Sequence, residues 1–167
     1  MTPHPQGIVL AVFAIVMTVA AVEDFRRLII PNPLPIALCV LWPFYFLAAP
    51  SLYGALAAIG CAAAVFLGGA CLFARGYLGG GDVKLLTAAA LWAGPAGTPL
   101  LLMLTSLLGG ALALFLLIPF GQQFAAAARS RMGEPPLESV RGLKMPVPYG
   151  IAIAAAALIV TLHPHLG

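Results

Sequence analysis

The residues that could do chemistry in this chain are its five acidic side chains. Glu134 and Glu138 lie in a polar segment, whereas Glu23, Asp24 and Asp82 border apolar stretches. A carboxylate close to lipid is energetically costly, so such residues are candidates for function by default. Asp24 closes an apolar run and Asp82 follows three consecutive glycines, which makes these two the leading candidates.

Two aspartates that meet in the folded chain could act as one catalytic unit. Neighbouring carboxyl groups do not both ionise readily, so one keeps a proton, and the pair can activate a water molecule while protonating a leaving group. Aspartic proteases use this arrangement, in which the two groups titrate together. The glycines fit the same chemistry, because backbone without side chains turns sharply beside Asp82 and lets a peptide come close. They are Gly79, Gly80 and Gly81.

Each aspartate also has a purely structural interpretation. Asp24 could be an acid at the membrane surface that pairs with Arg27, three residues further along. Asp82 could cap the N-terminus of a helix that begins after the glycine turn. The functional interpretation gains weight when the two are taken together, because the chain has few other acids and both aspartates are expected on one side of the membrane.

The glycine-rich segment from Gly76 to Lys84 could also suggest a phosphate-binding loop. It lacks the GxxxxGK[ST] spacing and follows an apolar helix rather than a strand. It also places Asp82 where a phosphate would need positive charge. The pattern therefore argues against nucleotide binding.

The chain as a whole is far more apolar than a soluble domain. Of its 167 residues, 62% are hydrophobic and 8% are charged, and the mean hydropathy is +1.07. This composition excludes a soluble enzyme, a disulfide scaffold and a nucleic-acid-binding domain as first interpretations. The cysteines form no CxxC pair and indicate neither a zinc site nor a disulfide framework. They are Cys39, Cys61 and Cys71.

Uncharged runs determine the number of membrane spans. The charged residues leave four such runs, at residues 1–22, 28–74, 85–128 and 145–167. A helix that crosses a bilayer uses roughly 20 residues, so the runs hold one, two, two and one spans. Proline and glycine clusters break the two long runs at residues 48–51 and 94–99. We therefore predict an all-α, six-span bundle that forms one domain over residues 1–167. The spans are expected near residues 7–22, 34–49, 52–74, 83–94, 98–119 and 147–163.

The basic residues predict how this bundle is oriented. All eight fall in the first, third and fifth connections, and the opposite side has none. By the positive-inside rule these connections face the cytoplasm and both termini lie outside. Arg26, Arg27, Arg75 and Lys84 are expected to anchor helix ends at lipid headgroups, or else to tune the two aspartates or meet an acid of a partner. The polar connection over residues 121–144 is either a gate for substrate or a plain linker.

Two motifs resemble those of type IV prepilin peptidases, which belong to the GxGD class of membrane aspartic proteases. The stretch from Asp24 to Asn32 resembles DxRxxxIPN, and the stretch from Gly79 to Leu86 resembles GGGDxKLL. The segment from Pro146 to Gly150 resembles the entry to the family's last helix. The resemblance covers essentially the whole chain, and the two motifs together are more specific than either alone.

The resemblance implies that the protein removes the short basic leader of prepilin-like subunits on the cytoplasmic side, typically just after a glycine. Asp24 and Asp82 would be its catalytic carboxylates, and no metal or organic cofactor would be needed. The other motif residues would support substrate binding or the motifs themselves. They are Arg27, Pro31, Asn32, Gly79, Gly80, Gly81 and Lys84.

One departure from the larger family members is informative. Those members carry a cytoplasmic domain between the first two spans, often with paired CxxC motifs, and also methylate the new N-terminus. Here the first connection is about ten residues and has no cysteine, so the chain is more similar to the short peptidases of Flp/Tad pili or of archaeal preflagellin processing. The alternatives outside this class are a small membrane transporter, which would more often carry its acids near the bilayer midplane, and a non-catalytic subunit of pilus assembly.

Overall fold

A computed structural model of the chain describes residues 5–47, 51–133 and 147–166. The regular structure in these ranges is all helical, which confirms the predicted all-α class. The helices are α1 (Pro5–Arg27), α2 (Pro33–Phe46), α3 (Leu52–Ala74), α4 (Gly80–Leu117), α5 (Pro119–Arg131) and α6 (Tyr149–Leu166). The predicted break at Pro50 and the residues Glu134, Glu138, Arg141 and Lys144 lie outside the described residues.

Three of these helices, α1, α3 and α4, are long and apolar enough to cross a membrane. The helix α2 and the part of α6 from Tyr149 to Leu162 are also apolar but shorter. The longest, α4, has 38 residues. As a straight helix it would extend about 57 Å, about twice the roughly 30 Å hydrocarbon thickness of a bilayer. A single crossing therefore cannot accommodate it.

The helix α4 instead folds back on itself at Gly94. This residue has non-helical backbone angles (φ 62°, ψ −172°) and is followed by Pro95. A positive φ of this kind is accessible to glycine at little cost. Asp82 near the start of α4 and Leu116 near its end line the same cavity, which a straight helix would forbid. The two arms, residues 80–93 and 95–117, are therefore antiparallel.

The prediction of six apolar segments thus agrees with the structure, because α4 supplies two of them. The prediction was wrong for part of the connection over residues 121–144, since residues up to 131 belong to α5. Proline at its first position and the alanine-rich sequence that follows favour this helix. The first helix is also longer than predicted, and reaches Arg27 instead of ending near residue 22.

Small residues let the helices approach closely. A Cβ atom added to Gly69 of α3 would lie 2.9 Å from Val83 of α4, and one added to Gly109 of α4 would lie 2.8 Å from the ring of Tyr149. Close backbone approach of this kind is typical of helix packing in lipid. At the far end of the bundle, the Trp92 indole N–H donates to the carbonyl of Leu38 at 3.0 Å. This bond ties α4 to α2.

Several helix ends meet at the other end of the bundle. The cavity that contains Asp82 is also lined by residues from the end of α1, the segment after α3, both ends of α4 and the start of α6. Four of the six basic residues of the described chain lie in or next to these same segments, and a fifth, Arg129 of α5, contacts the end of α1. The four are Arg26, Arg27, Arg75 and Lys84.

The neighbouring glycines Gly109 and Gly110 provide a matched test of this packing. We expect Gly109→Ala to lower the thermal unfolding midpoint in detergent, because overpacking a tight helix contact costs about 1 to 3 kcal/mol. Gly110→Ala should leave the midpoint unchanged or raise it, because nothing lies within 4 Å of a Cβ atom there and alanine favours a helix by about 1 kcal/mol. Equal midpoints for the two variants would contradict the described contact between α4 and α6.

Candidate functional site

Asp24 lies in the last turn of α1 and is held from the opposite side by α6. Its side chain is only 5% exposed. The backbone N–H of Gly150, in the first turn of α6, donates to Asp24 Oδ2 at 2.7 Å. The N-terminus of a helix carries partial positive charge and unpaired N–H groups, so it is a favourable place for a carboxylate.

Glycine is required at position 150 because the aspartate approaches the backbone so closely. A Cβ atom at this position would lie 2.8 Å from both Cβ and Oδ2 of Asp24 and 2.9 Å from Cγ. Real Cβ atoms essentially never come this close to other heavy atoms. Any side chain on Gly150 would therefore displace the aspartate or shift α6.

Asp82 lies in the first turn of α4, where Gly79 is the N-cap residue. Its carboxylate accepts a hydrogen bond from the Gly79 N–H, as an acidic residue at the third helical position does in a capping box. The alternative that Asp82 is itself the N-cap is therefore wrong. Its second oxygen, Oδ1, is buried and has no hydrogen-bond partner among the described residues. Capping thus accounts for only one of the two oxygens.

The structure brings the two aspartates into the same cavity. Asp24 and Asp82 both line a cavity of about 810 Å³, together with Tyr77, Leu116 and Tyr149. They also line a smaller space of about 240 Å³ between the chain that follows α1 and the glycines that begin α4. The two carboxyl groups are close enough to interact electrostatically. A pair in this arrangement can share one proton and activate a water molecule.

Two charged motif residues, Lys84 and Arg27, have partners other than the two aspartates. Lys84 Nζ donates to Asn32 Oδ1 at 2.8 Å, which links the two motifs on the side of α4 away from Asp82, as the spacing of two residues predicts. Arg27 Nε lies 3.4 Å from Glu23 Oε2. The alternative that Arg27 pairs with Asp24 is therefore wrong.

The remaining motif residues shape the backbone around the pair. A Cβ atom on Gly81 would lie 3.0 Å from the Cβ of Ile30, and one on Gly80 would lie 3.3 Å from the ring of Phe73. The connection after α1 therefore packs directly on the glycine turn. Pro31 lies in this connection, and its carbonyl accepts the N–H of Leu34 at 3.1 Å, which helps to begin α2.

The sequence does not predict the contacts of two residues in the site region. Gly150 belongs to a segment that resembles a family motif, but its contact with Asp24 spans 126 residues of sequence. Arg129 is one of the basic residues of the predicted fifth connection, yet it is 5% exposed and its guanidinium donates to the carbonyl of Phe25. A glycine at the start of an alanine-rich helix was the one available signal for the first of these.

No part of the described chain brings three or more His, Cys, Asp or Glu side chains close enough to hold a metal ion. A separate cavity of about 590 Å³ lies between α2, α3 and α4, and neither aspartate lines it. Its walls are largely apolar, and their polar residues are Asn32, Lys84 and Thr87. The acidic chemistry of the described residues is therefore concentrated at Asp24 and Asp82.

Comparison with known proteins identifies the family of the chain. The model of the type IV leader peptidase family matches residues 11–114, which is more than half of the chain and includes both aspartates. No curated protein matches the chain, and no solved structure does. The family match and the apolar helices together identify a multi-pass membrane protein. The chain belongs to the type IV leader peptidase family and is an aspartic-type membrane protease that acts on prepilins.

Proposed function

We propose that Asp24 and Asp82 are the catalytic pair of this leader peptidase and that they hydrolyse the bond after the basic leader of a prepilin-like subunit. The observation that supports this most is their shared cavity, which brings together the ends of α1 and α4. Glu23, the acid next to Asp24, is paired with Arg27 instead. The matched family segment contains no further acidic residue.

In this proposal the pair begins with one proton between the two carboxyl groups. The ionised carboxylate takes a proton from a water molecule as the water oxygen attacks the scissile carbonyl carbon, and the protonated partner gives its proton to the carbonyl oxygen. The tetrahedral intermediate then collapses. Its C–N bond breaks, a proton moves to the leaving nitrogen, and the products are a leader with a new carboxyl group and a subunit with a new amine.

The shape of the cavity suits a peptide that continues into an apolar segment. Its walls are largely aliphatic and aromatic, with Leu28, Tyr77 and Leu117 among them. Buried apolar surface contributes roughly 25 cal/mol per Å², so an apolar substrate segment alongside the bundle would provide affinity while the aspartates provide chemistry. The glycine turn would let the scissile backbone approach Asp82 closely.

We place this site at the cytoplasmic face of the cell's inner membrane, with both termini outside. The supporting observation is that four of the six basic residues of the described chain lie in or next to the segments that line the cavity, as the positive-inside rule requires of cytoplasmic segments. The connection between α1 and α2 is only residues 28–32, which leaves no room for an additional domain there. A short peptidase of the Flp/Tad type, with one domain over residues 1–167 and without the methyltransferase domain of the larger members, fits this arrangement best.

Replacing either aspartate tests the catalytic pair. We expect Asp24→Asn and Asp82→Asn each to reduce cleavage of a purified prepilin-like substrate about a thousandfold or more, because general acid and base groups contribute about 10² to 10⁴ each. The cleaved product is measured by mass spectrometry of the new N-terminus. Glu23→Gln serves as the matched control and should keep activity within a few-fold of the wild type. Substantial leader removal by either aspartate variant would overturn the assignment.

Gly150→Ala tests whether Asp24 must be held in place. The added methyl group should displace the carboxylate, and we expect kcat to fall about 10- to 100-fold, since a shift of about 1 Å can cost a factor of 10². Gly110→Ala, which adds the same methyl group in open space, is the control. Full activity of the Gly150 variant would show that the contact with α6 is dispensable.

Thiol labelling tests the sidedness of the site. In a background without the three native cysteines, Arg131→Cys should react with an impermeant maleimide in inverted vesicles and be protected in right-side-out vesicles. Ser51→Cys, at the exposed start of α3 on the opposite end of the bundle, should show the reverse pattern. Labelling of position 131 from the outside would contradict a cytoplasmic site.

A further inference from the structure

The helix α5 carries a buried arginine that no part of the proposed reaction uses. Arg129 is in the last turn of α5 and only 5% of its surface is exposed. Arginine is almost never this buried unless its guanidinium is held by hydrogen bonds or charges. Here Nη1 donates to the backbone carbonyl of Phe25, the residue directly after Asp24. Two residues further along the same helix, Arg131 is exposed.

The carbonyl that Arg129 binds is available because α1 ends abruptly. Leu28 adopts a positive φ of 55°, and its N–H bonds back to the carbonyl of Asp24 at 2.9 Å. Left-handed backbone at a leucine is costly, about 1 to 2 kcal/mol per residue. The last carbonyls of a helix have no partner within it, and a cation near them is favourable because the helix C-terminus carries partial negative charge. Arg129 meets both requirements at Phe25.

The helix that carries Arg129 is itself fixed at its start. The ring of Phe115, near the end of α4, makes edge-to-face contacts with Phe120 and Phe124 at centroid distances of 6.4 and 6.1 Å. A Cβ atom on Gly121 would collide with the carbonyl of Phe115, so the first turn of α5 lies directly on the end of α4. Because α5 packs on the end of α4, the hydrogen bond from Arg129 connects the end of α4, through α5, to the end of α1.

These contacts hold Asp24 from two directions. Its carboxylate is bound by the backbone of α6 at Gly150, and the backbone of the next residue is bound by α5 at Arg129. The family match ends at residue 114, before α5 begins. Both restraining residues, Gly150 and Arg129, therefore lie outside the matched segment.

We infer that Arg129 is a positioning residue for the protease, which fixes the end of α1 so that Asp24 faces Asp82 in the productive geometry. This rests on the proposed function of the two aspartates. Arg129 itself does not touch the cavity that they share. Its loss should therefore lower turnover and leave substrate affinity unchanged.

The test measures kcat and KM of the full-length purified enzyme on a prepilin-like substrate, with folded enzyme quantified by size-exclusion chromatography. We expect Arg129→Gln to lower kcat about 10- to 100-fold with KM within about twofold of the wild type. Arg129→Lys, which keeps a charged donor, should recover part of the lost kcat. Arg131→Gln should leave both constants within about twofold. An unchanged kcat in Arg129→Gln, a loss confined to KM, or an equal loss in Arg131→Gln would overturn the inference.

Loss of stability is separated from loss of positioning by a second control. Trp92→Phe removes the hydrogen bond to Leu38 at the far end of the bundle, so it should lower the unfolding midpoint while keeping kcat. If Trp92→Phe loses as much kcat as Arg129→Gln, a general effect of stability explains both and the inference fails. If Arg129→Gln does not accumulate in the membrane, Arg129→Lys takes its place as the test. A kcat equal to that of the wild type in Arg129→Lys would then count against the inference. Asp24→Asn in the same assay reports separately on the proposed function.

Discussion

The hydrogen bond from the Gly150 N–H to Asp24 is the contact on which the rest of the site depends. It joins α6 to α1 at the end of the bundle where the two ends of α4 also arrive. Two other features of the site accompany it: a side chain at position 150 would collide with Asp24, and Asp24 is withdrawn from solvent. The motif in α1 is therefore completed by a residue 126 positions away.

The second aspartate is held less completely, and that difference is informative. Asp82 bonds the Gly79 N–H with one oxygen and leaves the other buried without a partner in the described part of the chain. An unsatisfied buried polar atom costs about 1 to 3 kcal/mol. Buried polar atoms in native structures nearly always have a partner, so each exception calls for an explanation. In the proposed reaction this oxygen would hold the proton or meet the water molecule or the substrate carbonyl.

Much of this arrangement could be predicted from the sequence. Charged residues are few, so the uncharged runs between them define the apolar segments. The number of these segments predicts that Asp24 and Asp82 lie at the same end of a helical bundle. The reversal at Gly94 was predicted because glycine and proline end helices. The direction of Lys84 followed from its spacing of two residues after Asp82, and the structure places its amino group on Asn32.

The remaining features depend on contacts between distant parts of the chain. Nothing local in the sequence indicates that Arg129 reaches the end of α1, since its neighbours are alanines and a serine in a segment of intermediate polarity. The sequence predicts a connection over the same segment, because it begins the longest polar stretch of the chain. The pairing of Arg27 with Glu23 instead of Asp24 was equally open, because spacings of three and four residues both permit contact on a helix.

The most direct test of the central claim is the proximity of the two aspartates in the membrane-embedded protein. In a background without the native cysteines, Asp24→Cys and Asp82→Cys are combined and treated with a short bifunctional methanethiosulfonate, and the intact protein is weighed by mass spectrometry. The account predicts one linker that bridges both thiols, whereas a pair of cysteines at positions 24 and 92 should carry two separate adducts. Two separate adducts at positions 24 and 82 would contradict the account.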